Sequence, residues 1–315
     1  MSTTSAAVLS PVPAAVRDAH AVLPLRRHAV GASAARRFVT VDGVRLAYDD
    51  VGSGPAVVCL HAIGHGASDF ARLAERLRER HRVIALDWPG QGWSDPDPEP
   101  PSSRRYATLL EGLLAVLDPG PAVLVGNSIG GGVAIRYAAV HPRDVRGLVL
   151  ANCSGLDAFD AVTRIACGMM ARFFRSGVRG ARWFRPAFAA YYRTVLSAPA
   201  AAEQRARIVA AADEIVPVLA EGWAGFASPD ADLRRLAPTI ACPVLFTWAV
   251  RDRFIQLRRN LPAIRTFPHA RVVEFPAGHA PQLETPEEFE REVAAFIADL
   301  PARPPDTLPA SAPGV

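Results

Sequence analysis

The chain has 315 residues, half of them hydrophobic, and a formal charge of +4 from 35 basic and 31 acidic residues. Every basic residue is Arg and no Lys occurs, which excludes a Schiff-base lysine, a pyridoxal-phosphate anchor, a P-loop lysine and a kinase-type lysine. The charge is too small for this length to argue for nucleic acid, and no stretch approaches the ~20 apolar residues of a membrane span.

Residues 1–36 are rich in Ala, Pro and Arg with one acid, Asp18. They read as a flexible arm or one extra helix, and both stay open. The first residues lack a basic segment followed by an apolar run, so no secretory leader is expected. Arg37–Val41 and Val44–Asp50 flank Asp42-Gly43, a hairpin signature. Ala56–Leu60 and Val83–Leu86 read as buried strands, with a helix over Phe70–Arg80 between them. The Pro-rich stretch Asp95–Pro101 must be loop, because Pro supplies no amide donor. Tyr106–Leu117 is an amphipathic helix, Val123–Val125 a strand, Gly131–Ala139 a helix and Leu148–Ala151 a strand. From residue 154 no strand is convincing until Val244–Thr247. A helix near Leu257–Thr266, a strand at Arg271–Phe275 and a helix at Pro286–Leu300 follow. The tail 301–315 is Pro-rich and expected to be disordered.

Strands alternating with helices imply an α/β fold with a mostly parallel sheet covered on both faces. Residues 37–153 and 241–300 form its core, and 154–240 a helical cap or lid inserted into it. The four cysteines, Cys59, Cys153, Cys167 and Cys242, are far apart, and three lie in or beside apolar runs. They read as buried free thiols, fitting a reducing cytoplasm. No CxxC or HExxH motif occurs, so neither a metal nor another cofactor is expected.

The chemistry centres on Gly126-Asn127-Ser128-Ile129-Gly130, between an apolar strand and a helix. This is the G-x-S-x-G elbow in its expected context. The turn is tight enough that bulky residues at 126 and 130 would collide. A nucleophilic Ser needs a base, and the base needs an orienting carboxylate. His279 follows the last strand in Pro276-Ala277-Gly278-His279-Ala280-Pro281. Asp252 follows strand 244–250 in Trp248-Ala249-Val250-Arg251-Asp252-Arg253. The order Ser, acid, His and the placement after strand ends fit one site.

On these residues the chain resembles an α/β-hydrolase, from about residue 37 to 300 and least across the lid. His61-Ala62-Ile63-Gly64, Asp87-Trp88-Pro89-Gly90-Gln91-Gly92-Trp93-Ser94 and Leu283-Glu284-Thr285-Pro286 add to the resemblance. It implies eight strands, the triad Ser128–Asp252–His279 and an oxyanion hole from the backbone amides of Ile129 and Ile63. Two positions depart from the usual pattern: Ala62 and Ala249 stand where Gly is common. Ala62 narrows the permitted backbone beside Ile63. Asp157 is an alternative acid, used at that place in some relatives.

Ser at 128 argues against epoxide hydrolases and haloalkane dehalogenases, and Tyr191 and Tyr192 read as lid packing. The expected activity is cleavage of a carboxylic ester or lactone through an acyl-enzyme. Gly126-Asn127-Ser128 also resembles C–C hydrolases of ring-cleavage diketones, but the Gly-rich segment expected after His61 is missing. A ligand-binding protein or an acyltransferase is the alternative of another class. Asn127, His65, Met169, Phe173 and Trp223 are candidate substrate contacts for a hydrophobic acyl or aromatic ester. Between Ala161 and Ala200 there are seven Arg and no acid. Arg172, Arg175, Arg179 and Arg182 share one face if that segment is a single helix. The residues fix neither the substrate nor the oligomeric state.

Overall fold

The apolar runs pair into one sheet. The computed structural model describes residues 35–301, so the expectations for an arm at 1–36 and a tail at 301–315 fall almost wholly outside the described residues. Strands β1 (Arg36–Val41) and β2 (Val44–Val51) form the antiparallel hairpin. Its turn residues Asp42 and Gly43 have φ of 50° and 78°, the left-handed geometry that matches strand twist in a two-residue loop. Strands β3 (Ala56–Leu60), β4 (Arg82–Leu86), β5 (Ala122–Asn127), β6 (Val145–Ala151), β7 (Val244–Ala249) and β8 (Ala270–Phe275) complete it. The order is β1-β2-β4-β3-β5-β6-β7-β8. The β1–β2 and β2–β4 pairs are antiparallel and the remaining pairs parallel.

Helices α1 (Ala71–Leu77), α2 (Ser103–Leu117) and α3 (Ile129–Val140) connect the first strands. Between β6 and β7 lie α4 (Ala161–Val178), α5 (Phe184–Val195), α6 (Ala202–Ala210) and α7 (Ala212–Gly225), with no strand among the described residues there. Helices α8 (Leu257–Ile264), α9 (Pro281–Glu284) and α10 (Pro286–Asp299) return the chain to the sheet. Their ends are set by local chemistry. Ser102 accepts from the Arg105 amide at the start of α2, and Asp160 from the Thr163 amide at the start of α4. Pro286 opens α10, with Glu287 and Glu288 in the first turn where the helix dipole favours them.

Every residue of β3 and β5 is buried, which is why they read as unbroken apolar runs and not as an alternation. Successive side chains enter opposite cores. Val58, Leu60 and Leu124 pack with Leu109, Leu113 and Val133 of α2 and α3. Val57, Cys59, Val123 and Val125 pack with Leu73 of α1 and with Phe289 and Val293 of α10. Cutting one of these buried leucines to Ala removes about 2–5 kcal/mol. All four cysteines are buried free thiols. Burial raises each above the ordinary thiol value, Cys167 to about 11 and Cys242 to about 12.

The inserted helices hold a nest of rings. Phe174 and Phe188 are fully buried, and Phe173 meets Phe174 and Phe184 at 5.0 Å between centroids. The four arginines expected on one helix do not share one. Helix α4 stops at Val178, Gly180 turns the chain at φ 72°, and Arg182 lies beyond it. Arg175 stands 3.7 Å from Glu221 of α7. No helix among the described residues is long and apolar enough to cross a membrane.

Candidate active site

Four loops leave the carboxyl ends of β3, β5, β7 and β8, and each carries at least one candidate residue. Parallel strands point their ends at one side of the sheet, so residues remote in sequence converge there. Ser128 ends β5 and starts α3 with φ 54° and ψ −119°, a backbone that L residues rarely adopt. The flanking glycines are required by close approach. A Cβ on Gly126 would stand 2.5 Å from the Gly130 carbonyl, and one on Gly130 would stand 2.1 Å from the Leu60 oxygen. The Ile129 amide is at the first position of α3, where no preceding turn supplies an acceptor.

His279 is buried in the loop after β8, and its Nδ1 lies 2.6 Å from Asp252 Oδ2. Asp252 follows β7 and has both oxygens engaged. Its Oδ1 accepts from the Phe254 and Ile255 amides at 2.8 and 3.0 Å, and Oδ2 also accepts from Asn152 Nδ2 at 2.8 Å. Asn152 closes the link by accepting from the Ala249 amide at 2.6 Å. Burial pulls the His279 pKa down. The Asp252 charge and hydrogen bond, with Glu284 nearby, outweigh it and leave the ring above the ordinary histidine value. Asp157, the alternative acid, instead receives Arg259 Nε at 2.8 Å.

Glu284 fixes the histidine loop. Its Oε2 accepts from the amides of Gly278, His279 and Ala280 at 2.8, 2.8 and 3.2 Å. Its Oε1 accepts from the Ser197 and Ala198 amides and the Ser197 hydroxyl at 2.7, 3.0 and 3.1 Å. One buried carboxylate therefore ties the loop after β8 to the turn after α5. His61 is likewise structural. Its Nδ1–H donates to the Ala62 oxygen at 2.7 Å, and its Nε2 accepts from the Trp88 amide at 2.9 Å. Burial pushes its pKa down to about 4, so the ring is neutral and holds the loop that carries Ile63. Ala62 is not among the residues with positive φ, and Gly64, at φ 79°, takes that conformation instead. The Ala in place of Gly is therefore no obstacle to the loop.

Asp87 anchors the same region by accepting from the Ala67 and Trp93 amides at 2.7 and 3.0 Å. Burial pushes its carboxyl up to about 6. Gly92 is needed here, because a Cβ would meet the Asp87 carboxyl at 2.2 Å.

A sequence profile of the alpha/beta hydrolase family matches residues 57–292, which spans the elbow and the loops of Asp252 and His279. The chain belongs to the alpha/beta hydrolase family. A pimeloyl-[acyl-carrier protein] methyl ester esterase of Chromobacterium violaceum is 31% identical over 272 residues, covering 81% of this chain and 98% of that protein. An uncharacterized protein of Mycobacterium tuberculosis is 38% identical over 120 residues. The match spans 38% of this chain and only 35% of that relative's length. Among solved structures, a thermophilic esterase from Thermogutta terrifontis superposes with a TM-score of 0.68 at 26% identity. It covers 84% of this chain and 98% of that one.

In this alpha/beta hydrolase the strand ends open into a cavity. Ser128, His279, Ile63 and His65 line it from the core, and Tyr191, Tyr192, Leu219 and Trp223 from the inserted helices. The structure thus brings together Ser128, Asp252, His279, Ile63, His65 and Trp223. It does not bring the other three candidate contacts to the wall. Asn127 is fully buried and donates to the oxygens of Ala151 and His279 at 2.9 and 3.2 Å. Met169 is 62% exposed on the outer side of α4. Phe173 belongs to the ring nest inside the insertion. Asn127 misled because the residue before the elbow Ser belongs to the strand and points back under the loop of His279. Met169 and Phe173 misled because an apolar helical residue packs or projects according to its partner helix, which sequence does not name. Asn152, Glu284 and Asp69 carry the site's polar support, and only Glu284 stood in a motif.

Proposed function

We propose that this chain is a serine hydrolase that cleaves a neutral carboxylic ester or lactone with an apolar acyl or aromatic portion. Ser128 is the nucleophile, His279 the general base and Asp252 the group that orients it. The observation that carries this reading is the 2.6 Å His279–Asp252 contact in the cavity that also exposes Ser128 on its strained elbow.

In the mechanism His279 Nε2 takes the Ser128 proton as Oγ attacks the carbonyl carbon. The tetrahedral oxyanion is held by the amides of Ile129 and Ile63, such donors being worth about 3–4 kcal/mol each. Asp252 accepts from Nδ1–H and supports the imidazolium that forms. His279 then protonates the leaving alkoxide, and an acyl-enzyme remains. A water deprotonated by the same ring attacks it, and Ser128 is regenerated with release of the acid.

The helices between β6 and β7, residues 154–240 with their flanking turns, act as a cap over this chemistry. Ile63 meets it closely: a Cβ on Gly222 of α7 would stand 2.0 Å from Ile63 Cδ1. Apolar walls from Leu219, Trp223 and Phe254 suit an acyl chain or an aromatic ring. The buried thiols fit the reducing cytoplasm.

The test is a panel of esters, thioesters, lactones and vinylogous diketones, run with wild type and Ser128→Ala. Ester or lactone turnover that vanishes in the variant supports the reading. Diketone cleavage without ester cleavage overturns it in favour of C–C hydrolysis. Failure of a fluorophosphonate probe to label Ser128 overturns it in favour of a binding protein.

A further inference from the structure

His65 and Asp69 form a second histidine–aspartate pair in the wall of the same cavity. His65 Nδ1 lies 2.6 Å from Asp69 Oδ2, and both side chains are almost wholly buried. The other carboxylate oxygen, Oδ1, accepts from Gln204 Nε2 of α6 at 2.8 Å. His65 Nε2 makes no hydrogen bond among the described residues, while the ring lines the cavity with Ser128 and His279.

The partners of Asp69 separate its role from that of a loop staple. Glu284 collects five backbone amides and Asp87 two. Asp69, equally buried, spends both oxygens on side chains. Burying a carboxylate costs several kcal/mol unless it is fully paired. Here that arrangement fixes the orientation of one imidazole and leaves one of its nitrogens for a ligand.

The surrounding wall restricts what that ligand is. It carries carboxylates at Asp157 and Asp232 and no Arg among the described residues. The nearest guanidinium groups, Arg259 and Arg234, are already paired with those two carboxylates, so a substrate carboxylate would meet two acids and no unpaired Arg. A hydroxyl both donates and accepts, so it satisfies Nε2 whether or not that nitrogen bears a proton.

We propose that His65, held by Asp69 and Gln204, is a specificity-determining residue that hydrogen-bonds a neutral hydroxyl group of the substrate. This rests on the serine-hydrolase reading and names a feature of its substrate: an ester carrying a hydroxyl on its acyl or alcohol portion. A buried polar group left unpaired by the wrong ligand is what gives such sites their discrimination.

The experiment uses two matched pairs, aryl butanoate with aryl 3-hydroxybutanoate, and propyl butanoate with 2-hydroxypropyl butanoate. Wild type, His65→Leu, Asp69→Asn and Gln204→Ala are compared, with thermal unfolding recorded for each. Wild type is expected to favour the hydroxylated member of one pair by about 10–100-fold in kcat/KM, mostly through KM. His65→Leu is expected to erase that preference, bringing the kcat/KM ratio within each pair close to one. Asp69→Asn and Gln204→Ala are expected to reduce it part-way, because the ring is no longer locked. No preference in wild type, or a preference that survives in His65→Leu, overturns the proposal. So does loss of plain-ester turnover in a folded His65→Leu, which would make the residue part of the chemistry itself. If wild type cleaves no ester, the serine-hydrolase reading has failed, and the contact is read by binding. Tighter binding of the hydroxylated esters to Ser128→Ala, lost on adding His65→Leu, supports it, and equal binding overturns it.

Discussion

The sheet and the helices inserted between β6 and β7 meet at one cavity but are built to different standards. In β3, β5 and β7 every residue is buried. The inserted segment leaves Val162, Ile165, Met169, Val178 and Trp183 more than half exposed. The sheet supplies Ser128, Asp252 and His279 from strand ends whose spacing is fixed by the hydrogen-bond ladder. The insertion supplies Tyr191 from α5 and Leu219 and Trp223 from α7. Rigid placement suits the reacting groups proposed here, which must sit within about 0.5 Å of their productive geometry. Apolar helix faces suit walls that define shape.

That contrast orders the expected effects of substitution. Ser128→Ala should be the largest, cutting kcat by about 10⁴-fold or more with an unchanged unfolding midpoint. Steady-state kinetics beside a thermal melt measure both, and residual turnover near wild type would break the assignment of the sheet as the seat of chemistry. Asp252→Asn should follow, lowering kcat by about 10²–10⁴-fold. Asp157→Asn should change kcat less than about threefold, because Asp157 pairs with Arg259 and not with His279.

Glu284→Ala bears on both regions at once. It strands five buried amides, so a loss of stability of about 3 kcal/mol or more is expected in a denaturant titration. The pH profile sharpens the same point. As the proposed base, His279 must be neutral to accept the Ser128 proton, and its pKa is raised. The acid limb of kcat/KM should therefore lie above the ordinary histidine value of about 6.5. Replacing Glu284 by Gln removes a nearby negative charge and should move that limb downward. An upward or absent shift would dismiss the electrostatic part of its role.

On the insertion, effects should shrink. Trp223→Ala is expected to raise KM for aromatic esters by about 3–10-fold with kcat within about threefold. Met169→Ser, on the exposed side of α4, should alter KM by less than about twofold and stability by less than about 0.5 kcal/mol. A large effect of Met169→Ser would place that outer face in substrate recognition and erase the distinction between the two sides of α4.

The same contrast explains what was legible in the residues. Strands buried on both faces announce themselves as short apolar runs between turn residues, and all eight lie close to where the pattern puts them. The elbow and the order Ser, Asp, His were visible because they are local motifs placed at strand ends. The support around them was not. Asn152 reaches Asp252 across 100 positions, and Gln204 reaches Asp69 across 135, so no local pattern records either contact. Glu284 stood in a motif, and Asp69 had a weaker signal in its four-residue spacing from His65. Helical rings gave the poorest guide: Phe173 and Trp223 are both aromatic residues on inserted helices, yet of the two only Trp223 lines the cavity.

The carboxylate of Glu284 has a consequence for local opening. Amides from 197–198 and from 278–280 end on the same two oxygens. Either segment can open by itself, but movement of the Glu284 side chain releases both sets of amides at once. Replacing Glu284 by Ala should therefore raise deuterium uptake at the turn after α5 and at the histidine loop together, 80 positions apart in the chain.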